Sequence, residues 1–331
     1  MRTGLFVILL LSTVLLSCQQ QQPKYIYNDG VVYGTIYRFV YESPKGNNLH
    51  EKIKAKLDEY NLMFSAFDTA SVVSMINNNK ATKLPPEFVT CFNRAIEISK
   101  ITGGAFDITV GPMINAWGFG PETKQTMTQE KVDSLKEIIG YDKIRLENGK
   151  IIKDNPKMQI NMSAIAKGYT CDLIAKFLAG KGCKNYMVDI GGEIVAFGKN
   201  EKGREWTIGI NNPKESFVSS DYVTALRLPN HALATSGNYR NFYVEDGKRY
   251  GHTINPRTGF PVQHNILSAT VLANDCMTAD GFATAFMVLE LEESIELSKQ
   301  IPEIEVYIIY SDSLGNNQTY MSENFGRHLV R

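Results

Sequence analysis

This 331-residue sequence has no excess of charge of either sign, no phosphate-loop glycine signature and no apolar run long enough to span a bilayer. Its 35 Lys and Arg balance 35 Asp and Glu, so it lacks the basic footprint that nucleic-acid binding requires. Neither GxxxxGK[ST] nor GxGxxG occurs, which argues against a P-loop NTPase and a Rossmann enzyme. Five cysteines are present, without a CxxC pair or a Cys/His cluster at zinc spacing, which argues against a thiolate metal site and a thioredoxin-like role. Free buried thiols are expected at Cys91, Cys171, Cys183 and Cys276, with a bridge left open for an oxidising compartment.

Leu5 to Leu16 forms the one sustained apolar and small-residue stretch. It has the length of a signal-peptide core and falls short of a membrane span. It ends in Leu15-Leu16-Ser17-Cys18, where a small residue before cysteine resembles a bacterial lipobox. The expectation is therefore a signal peptide over 1–17, a lipidated Cys18 as mature N-terminus and a short Gln-rich tether over 18–24. Acyl chains at Cys18 would hold the body at a membrane surface. Loss of Arg2 with the signal leaves one more acid than base.

Apolar residues make up 43% of the chain, enough for a substantial core. Val31 to Tyr41 reads as one strand, and Leu49, Ile53, Leu57 and Tyr60 recur at helical spacing. A second helix is expected over Glu87–Ile101, stopped by Gly103-Gly104. Asn148-Gly149 marks a hairpin, and Ala166–Ala179 a helix closed by Gly180. Strands then dominate: Tyr186–Ile190, Ile194–Gly198, Trp206–Ile210, Tyr222–Leu228, Phe242–Glu245 before an Asp246-Gly247 turn, and Ile266–Ala273. Helices return at Thr278–Leu289 and Glu292–Gln300, followed by strands at Ile304–Tyr310 and Gln318–Met321. This pattern predicts an α+β fold of mixed or antiparallel sheets with segregated helices. One catalytic domain over 25–331 is expected, at a length compatible with two subdomains around a cleft.

Four clusters combine permissive backbone with a few polar groups. In Thr102-Gly103-Gly104-Ala105-Phe106-Asp107, the glycines admit close backbone approach and Asp107 suits a hydroxyl or amine, although a helix end running into a strand accounts for the same residues. Asn161 to Tyr169 reads as a loop entering a helix, whose free amides and Lys167 suit a pyrophosphate. Ala234 to Tyr239 and His252 to Gly259 form the third cluster, with His252 as acid, base or hydrogen-bond donor and Arg257 as a brace for its tight loop. In the fourth, Asp280 and Thr284 stand four apart on one helix face and suit a hard cation such as Mg2+, although Asp280 alone is equally an N-terminal helix charge.

In this order, the clusters resemble the ApbE family, the FAD:protein FMN transferases. The likeness runs from Gly34-Thr35 through Phe64-Ser65 to Ser71 and Asn77, the GGAFDITVGP run with Trp117-Gly118, Ala164–Gly168 with Asp172, Asp189–Gly192, Thr235–Tyr239 and His252–Gly259 to Ala279–Thr284. The resemblance implies a T-fold-like α+β domain. It places Mg2+ on Asp280, Thr284 and the Ala164 carbonyl, puts Ala105, Phe106, Asp107, Asn161, Lys167 and His252 around FAD, and sets Tyr33 and Phe67 near the flavin. His252, Lys167 and Asp280 would carry the chemistry. A Ser or Thr hydroxyl of an acceptor flavoprotein, such as a subunit of a membrane electron-transfer complex, would attack the FMN-side phosphorus and release AMP. The body would sit on the periplasmic side, lipid-anchored.

Five positions depart from the usual family pattern: Tyr33 for methionine, Phe67 for tyrosine, Val72 for an acid, and Asn161 and Asn255 for aspartates. Two rival readings share the same residues. One is a Mg2+-dependent FAD pyrophosphatase with water as acceptor, and the other a lipid-tethered flavin carrier without turnover.

Overall fold

The computed structural model describes residues 24–213, 222–237, 242–245 and 248–330. The expected signal peptide, Cys18, nearly all of the tether, Asn238, Tyr239 and the Asp246-Gly247 turn lie outside the described residues. Among the described residues, no helix is long and apolar enough to cross a membrane.

The chain opens as a hairpin of β1 (Lys24–Val32) and β2 (Thr35–Ser43), where the sequence suggested a single strand over 31–41. Tyr33 and Gly34 at its tip have φ of 51° and 74°. Two successive left-handed residues match the twist of a two-residue hairpin, and a tyrosine in that role gives no turn signal. Helices α1 (His50–Phe64), α2 (Val72–Asn77), α3 (Pro86–Ile101), α4 (Gly111–Ala116) and α5 (Gln129–Lys136) follow. Next come the small hairpin β3 (Ile144–Glu147) and β4 (Lys150–Lys153), turned on Asn148-Gly149 as expected, and α6 (Ala166–Gly180). Gly180 is the last residue of α6, and the left-handed reversal falls at Gly182.

The remaining strands are β5 (Tyr186–Ile190), β6 (Glu193–Phe197), β7 (Thr207–Asn211), β8 (Tyr222–Arg227), β9 (Ala232–Gly237), β10 (Phe242–Glu245), β11 (Lys248–Gly251) and β12 (Ile266–Ala273). After α7 (Cys276–Phe286) and α8 (Leu291–Gln300), β13 (Ile304–Ser311) and β14 (Asn317–Met321) complete the order. Eight strands form one sheet in the order β1-β2-β5-β6-β9-β12-β13-β14. Every neighbouring pair in it is antiparallel, which bears out the α+β expectation.

Side-chain alternation explains the layers. Phe39, Tyr41, Val188, Ile190, Ala234, Val271 and Ile308 join the helical core of α1, α3, α6 and α7. Their sequence neighbours Val40, Leu233, Leu272 and Ile309 turn to the other face, where Trp206, Leu226, Leu228 and Phe325 cover them. A period of two thus sorts one sheet into two buried faces. A third cluster of Met113, Trp117, Val132, Leu135 and Ile254 supports the segment 252–261.

Near the middle of the sheet, β6 and β9 pair at only two positions, Ile194 with Leu233 and Val195 with Ala232. Beyond them, Gly191 and Glu193 on one side and Thr235 to Gly237 on the other line a cleft.

Candidate active site

The cleft holds about 470 Å³. Its walls bring together Tyr33, Phe67, Ala105, Phe106, Asp107, Asn161, Ala164, Lys167, His252 and Thr284, which lie far apart in sequence and were all singled out from it. Asp280 does not line the cleft but is 2% exposed, just behind it. A second cavity of similar volume adjoins, sharing Tyr33, Phe67, Ser163 and Lys167 with the first.

One wall is set by the end of α3. Gly103 and Gly104 take φ of 56° and 81°, and residues 103–110 turn directly into α4 instead of entering the strand weighed from the sequence. Asp107 holds this loop itself: Oδ1 accepts from the Thr109 amide and hydroxyl, both at 2.7 Å, and Oδ2 from the Tyr141 amide at 2.9 Å. Burial raises its carboxyl, and those donors oppose the shift. Arg257 braces the same loop, donating to the carbonyls of Thr102 and Gly103 and pairing with Glu293 at 2.7 Å. This is the structural role its tight loop suggested.

The floor is the junction of α6 and α7. Asn161 Oδ1 accepts the Ser163 amide at 2.9 Å, which turns the chain into α6. Gly168 lets the helices meet, because a Cβ there would stand 2.3 Å from the Cys276 carbonyl oxygen and 2.7 Å from Asp280 Cβ. Its amide donates to Asp280 Oδ2 at 2.9 Å. Asp172 on α6 accepts the first two amides of α7, Cys276 and Met277, at 2.8 Å each, and Asp275 caps the same helix through Thr278 N. Helix α7 thus begins at Cys276, earlier than expected, and Asp280 occupies its second turn. One turn on, the Thr284 hydroxyl lies 3.5 Å from the Ala164 carbonyl and 3.4 Å from Ser236 Oγ.

Sequence reasoning missed Glu193. Lys167 Nζ reaches Glu193 Oε1 at 2.6 Å, while Glu193 Oε2 is buried without a hydrogen-bond partner. Glu193 is 3% exposed; burial pushes its carboxyl up, against the pull of Lys167. Burial also raises Asp280, opposed by Lys167 and the Gly168 amide. For Lys167 burial acts downward, and Glu193 and Asp280 outweigh it, keeping the ammonium charged. Two buried carboxyl groups therefore share one ammonium. The one signal for Glu193 was Gly191-Gly192 (φ 72° and 103°) turning an acid into the start of an apolar strand.

All the donors here are oxygens, from a carboxylate, a carbonyl and a hydroxyl, a set that suits a hard divalent cation. Among the described residues, no cluster of three His, Cys, Asp or Glu offers a competing metal site. Burial holds both Glu193 and Asp280 above the usual carboxylate range, so a cation placed between them would favour their charged forms. All four expected cysteines are free and buried.

The ApbE family model matches residues 33–308. A curated FAD:protein FMN transferase of Haemophilus influenzae is 37% identical over 309 residues, 89% of each chain. One from Vibrio cholerae is 35% identical over 313 residues, 91% of this chain and 93% of its own. The solved flavin transferase ApbE from Vibrio cholerae superposes with a TM-score of 0.83 at 33% identity, covering 93% of this chain and all of its own. The Pseudomonas stutzeri flavinyl transferase ApbE gives 0.81 at 26% identity, covering 93% and 99%. Fold and sequence agree across nine-tenths of the length, and the chain belongs to the ApbE family.

Proposed function

We propose that this chain is a Mg2+-dependent FAD:protein FMN transferase, attaching FMN through a phosphoester to a Ser or Thr hydroxyl of an acceptor flavoprotein and releasing AMP. The observation that carries this reading is the junction of α6 and α7. There Thr284, the Ala164 carbonyl and buried Asp280 gather around the start of a helix bearing Lys167, beside a cleft of nucleotide scale. Asp280, Thr284 and Ala164 would hold Mg2+, which when bound supplies positive charge against a pyrophosphate.

Lys167 adds a fixed ammonium at the same centre, held by Glu193. His252 faces the cleft and takes the proton of the acceptor hydroxyl. The new bond joins that oxygen to the FMN-side phosphorus. The bond from this phosphorus to the bridging oxygen breaks, and AMP departs with the electron pair. Asn161 and the loop 103–107 orient the nucleotide, and Tyr33 and Phe67, which also border the second cavity, flank the flavin end. A lipid on Cys18 would hold the body, 25–331, on the periplasmic face of a bacterial membrane, near acceptor subunits of membrane electron-transfer complexes.

The test is incubation of the full chain in detergent with FAD, Mg2+ and a periplasmic flavoprotein domain, following AMP and the acceptor's mass. A covalent FMN adduct lost in Asp280→Ala is expected. Free FMN and AMP without adduct would make the protein a pyrophosphatase, and intact bound FAD a carrier.

A further inference from the structure

Two acidic side chains line the cleft among the described residues, Asp107 and Glu193. Three protein donors occupy the oxygens of Asp107. Glu193 differs: Oε1 holds Lys167, while Oε2 is buried and takes no donor. A buried carboxylate oxygen left without a partner is costly and calls for an explanation, and a bound ion is one that also suits the oxygens around it. The backbone commits the residue to this place, since two left-handed glycines precede it and Ile194 fixes the start of β6 by pairing with Leu233. Asp280, on the other helix of the floor, is close enough to Glu193 for their charges to interact, and Lys167 is the ammonium they share.

We infer that Glu193 is the second carboxylate of the cation site, with Oε2 turned to the cation that Asp280, Thr284 and the Ala164 carbonyl hold while Oε1 keeps Lys167 in position. This rests on the cation site proposed above and extends it. Mg2+ is commonly held by one or two protein carboxylates completed by substrate phosphates, so a second acid fits the chemistry. It also gives Lys167 and the cation a common hinge: one carboxylate spaces the two positive charges that face the pyrophosphate, each on its own oxygen.

The test uses Mn2+ as the probe, titrated by EPR into the full chain in detergent without FAD. Glu193→Gln keeps a carbonyl for Lys167 and places an amide group where Oε2 was. Its Mn2+ Kd is expected to weaken by at least about 10–100-fold, the loss that removal of even a ligand's outer partner causes, with the metal-free protein melting no lower than the wild type. Glu193→Asp, which restores the charge, recovers part of the affinity. A Kd within about twofold of wild type in Glu193→Gln, with binding lost in Asp280→Asn, overturns the inference and leaves Glu193 as the partner of Lys167 alone. Unchanged binding in Asp280→Asn as well removes the cation site itself and with it the Mg2+ part of the proposed function. Should Glu193→Gln fail to fold, pulsed EPR of Mn2+ on wild-type protein carrying 13C-carboxyl glutamate decides. Coupling to a glutamate carbon supports the inference, and its absence refutes it.

Discussion

Gly168→Ala adds one methyl group to the floor of the cleft, and its effect follows from two distances. The new carbon would lie 2.3 Å from the Cys276 carbonyl oxygen and 2.7 Å from Asp280 Cβ. That is about 1 Å inside ordinary van der Waals contact, and the obstacle is backbone, which cannot rotate away. Alanine improves helix propensity over glycine by about 1 kcal/mol, while overpacking a filled core costs about 1–3 kcal/mol. The clash wins, and a net loss of up to about 2 kcal/mol is expected. Relief requires α7 to move off α6, lengthening the 2.9 Å bond from the Gly168 amide to Asp280 and parting Thr284 from Ala164. A displacement of about 1 Å at a reacting centre costs on the order of 10²-fold in rate. Gly180→Ala in the same helix meets nothing within 4 Å and should stabilise by about 0.4–1 kcal/mol without changing the rate. Urea denaturation midpoints and the rate of AMP release from FAD measure both variants. Equal stability and equal rate in Gly168→Ala would refute the claim that this contact sets the distance between the helices.

Four other outcomes follow from the same geometry. Asp172→Ala strands the amides of Cys276 and Met277 at the start of α7, and urea midpoints should show a loss of about 1–3 kcal/mol. Chelation of divalent cations should abolish FAD cleavage and leave far-UV circular dichroism unchanged, with Mg2+ raising the melting temperature through linkage. Thr284→Val retains shape and removes an oxygen donor, so Mg2+ dependence should shift to higher concentrations with little change in folding. His264 donates from Nε2 to the Met287 carbonyl at 2.9 Å and accepts the Ile266 amide at Nδ1; burial lowers its pKa below the ordinary 6.5. Between the lowered folded value and 6.5 the unfolded chain binds more protons, so stability is full above about pH 6.5 and falls as the pH drops through that window. His264→Asn should flatten that slope in melting curves taken from pH 7.5 to 5.

Much of the fold is legible in the sequence because its long elements carry strong periodic signals. Helix α3 starts within one residue of its expected position and ends where expected, and β5 and β12 match at both ends. Central β9, Ala-Leu-Ala-Thr-Ser-Gly, escaped notice because a strand covered on both faces needs small side chains and little alternation, which removes the usual β signature. The short helices α2 and α4 carry too few turns to show a period. Most of the cleft was readable from loops in which glycine and a polar residue coincide, as at Gly104-Ala105-Phe106-Asp107. Glu193 was not, because an acid after two glycines looks like a solvated turn until the partner strand covers it. Nor does the sequence report that the oxygens of Asp107 are already engaged within its own loop.

The division of the sheet into two apolar faces has a bearing on how the chain finds its register. When one face is wet, a one-residue slip is punished by exposing the whole hydrophobic set. Here β9 and β12 are apolar on both sides, so a slipped pairing would exchange one greasy surface for another. What distinguishes the correct alignment is a polar key, the Thr235 and Thr270 hydroxyls 2.9 Å apart at directly opposed positions. Thr235 is also a wall of the cleft. The side chains that tell these strands where to lie therefore belong in part to the binding site, so a chain that misaligns its central strands loses its cleft in the same step.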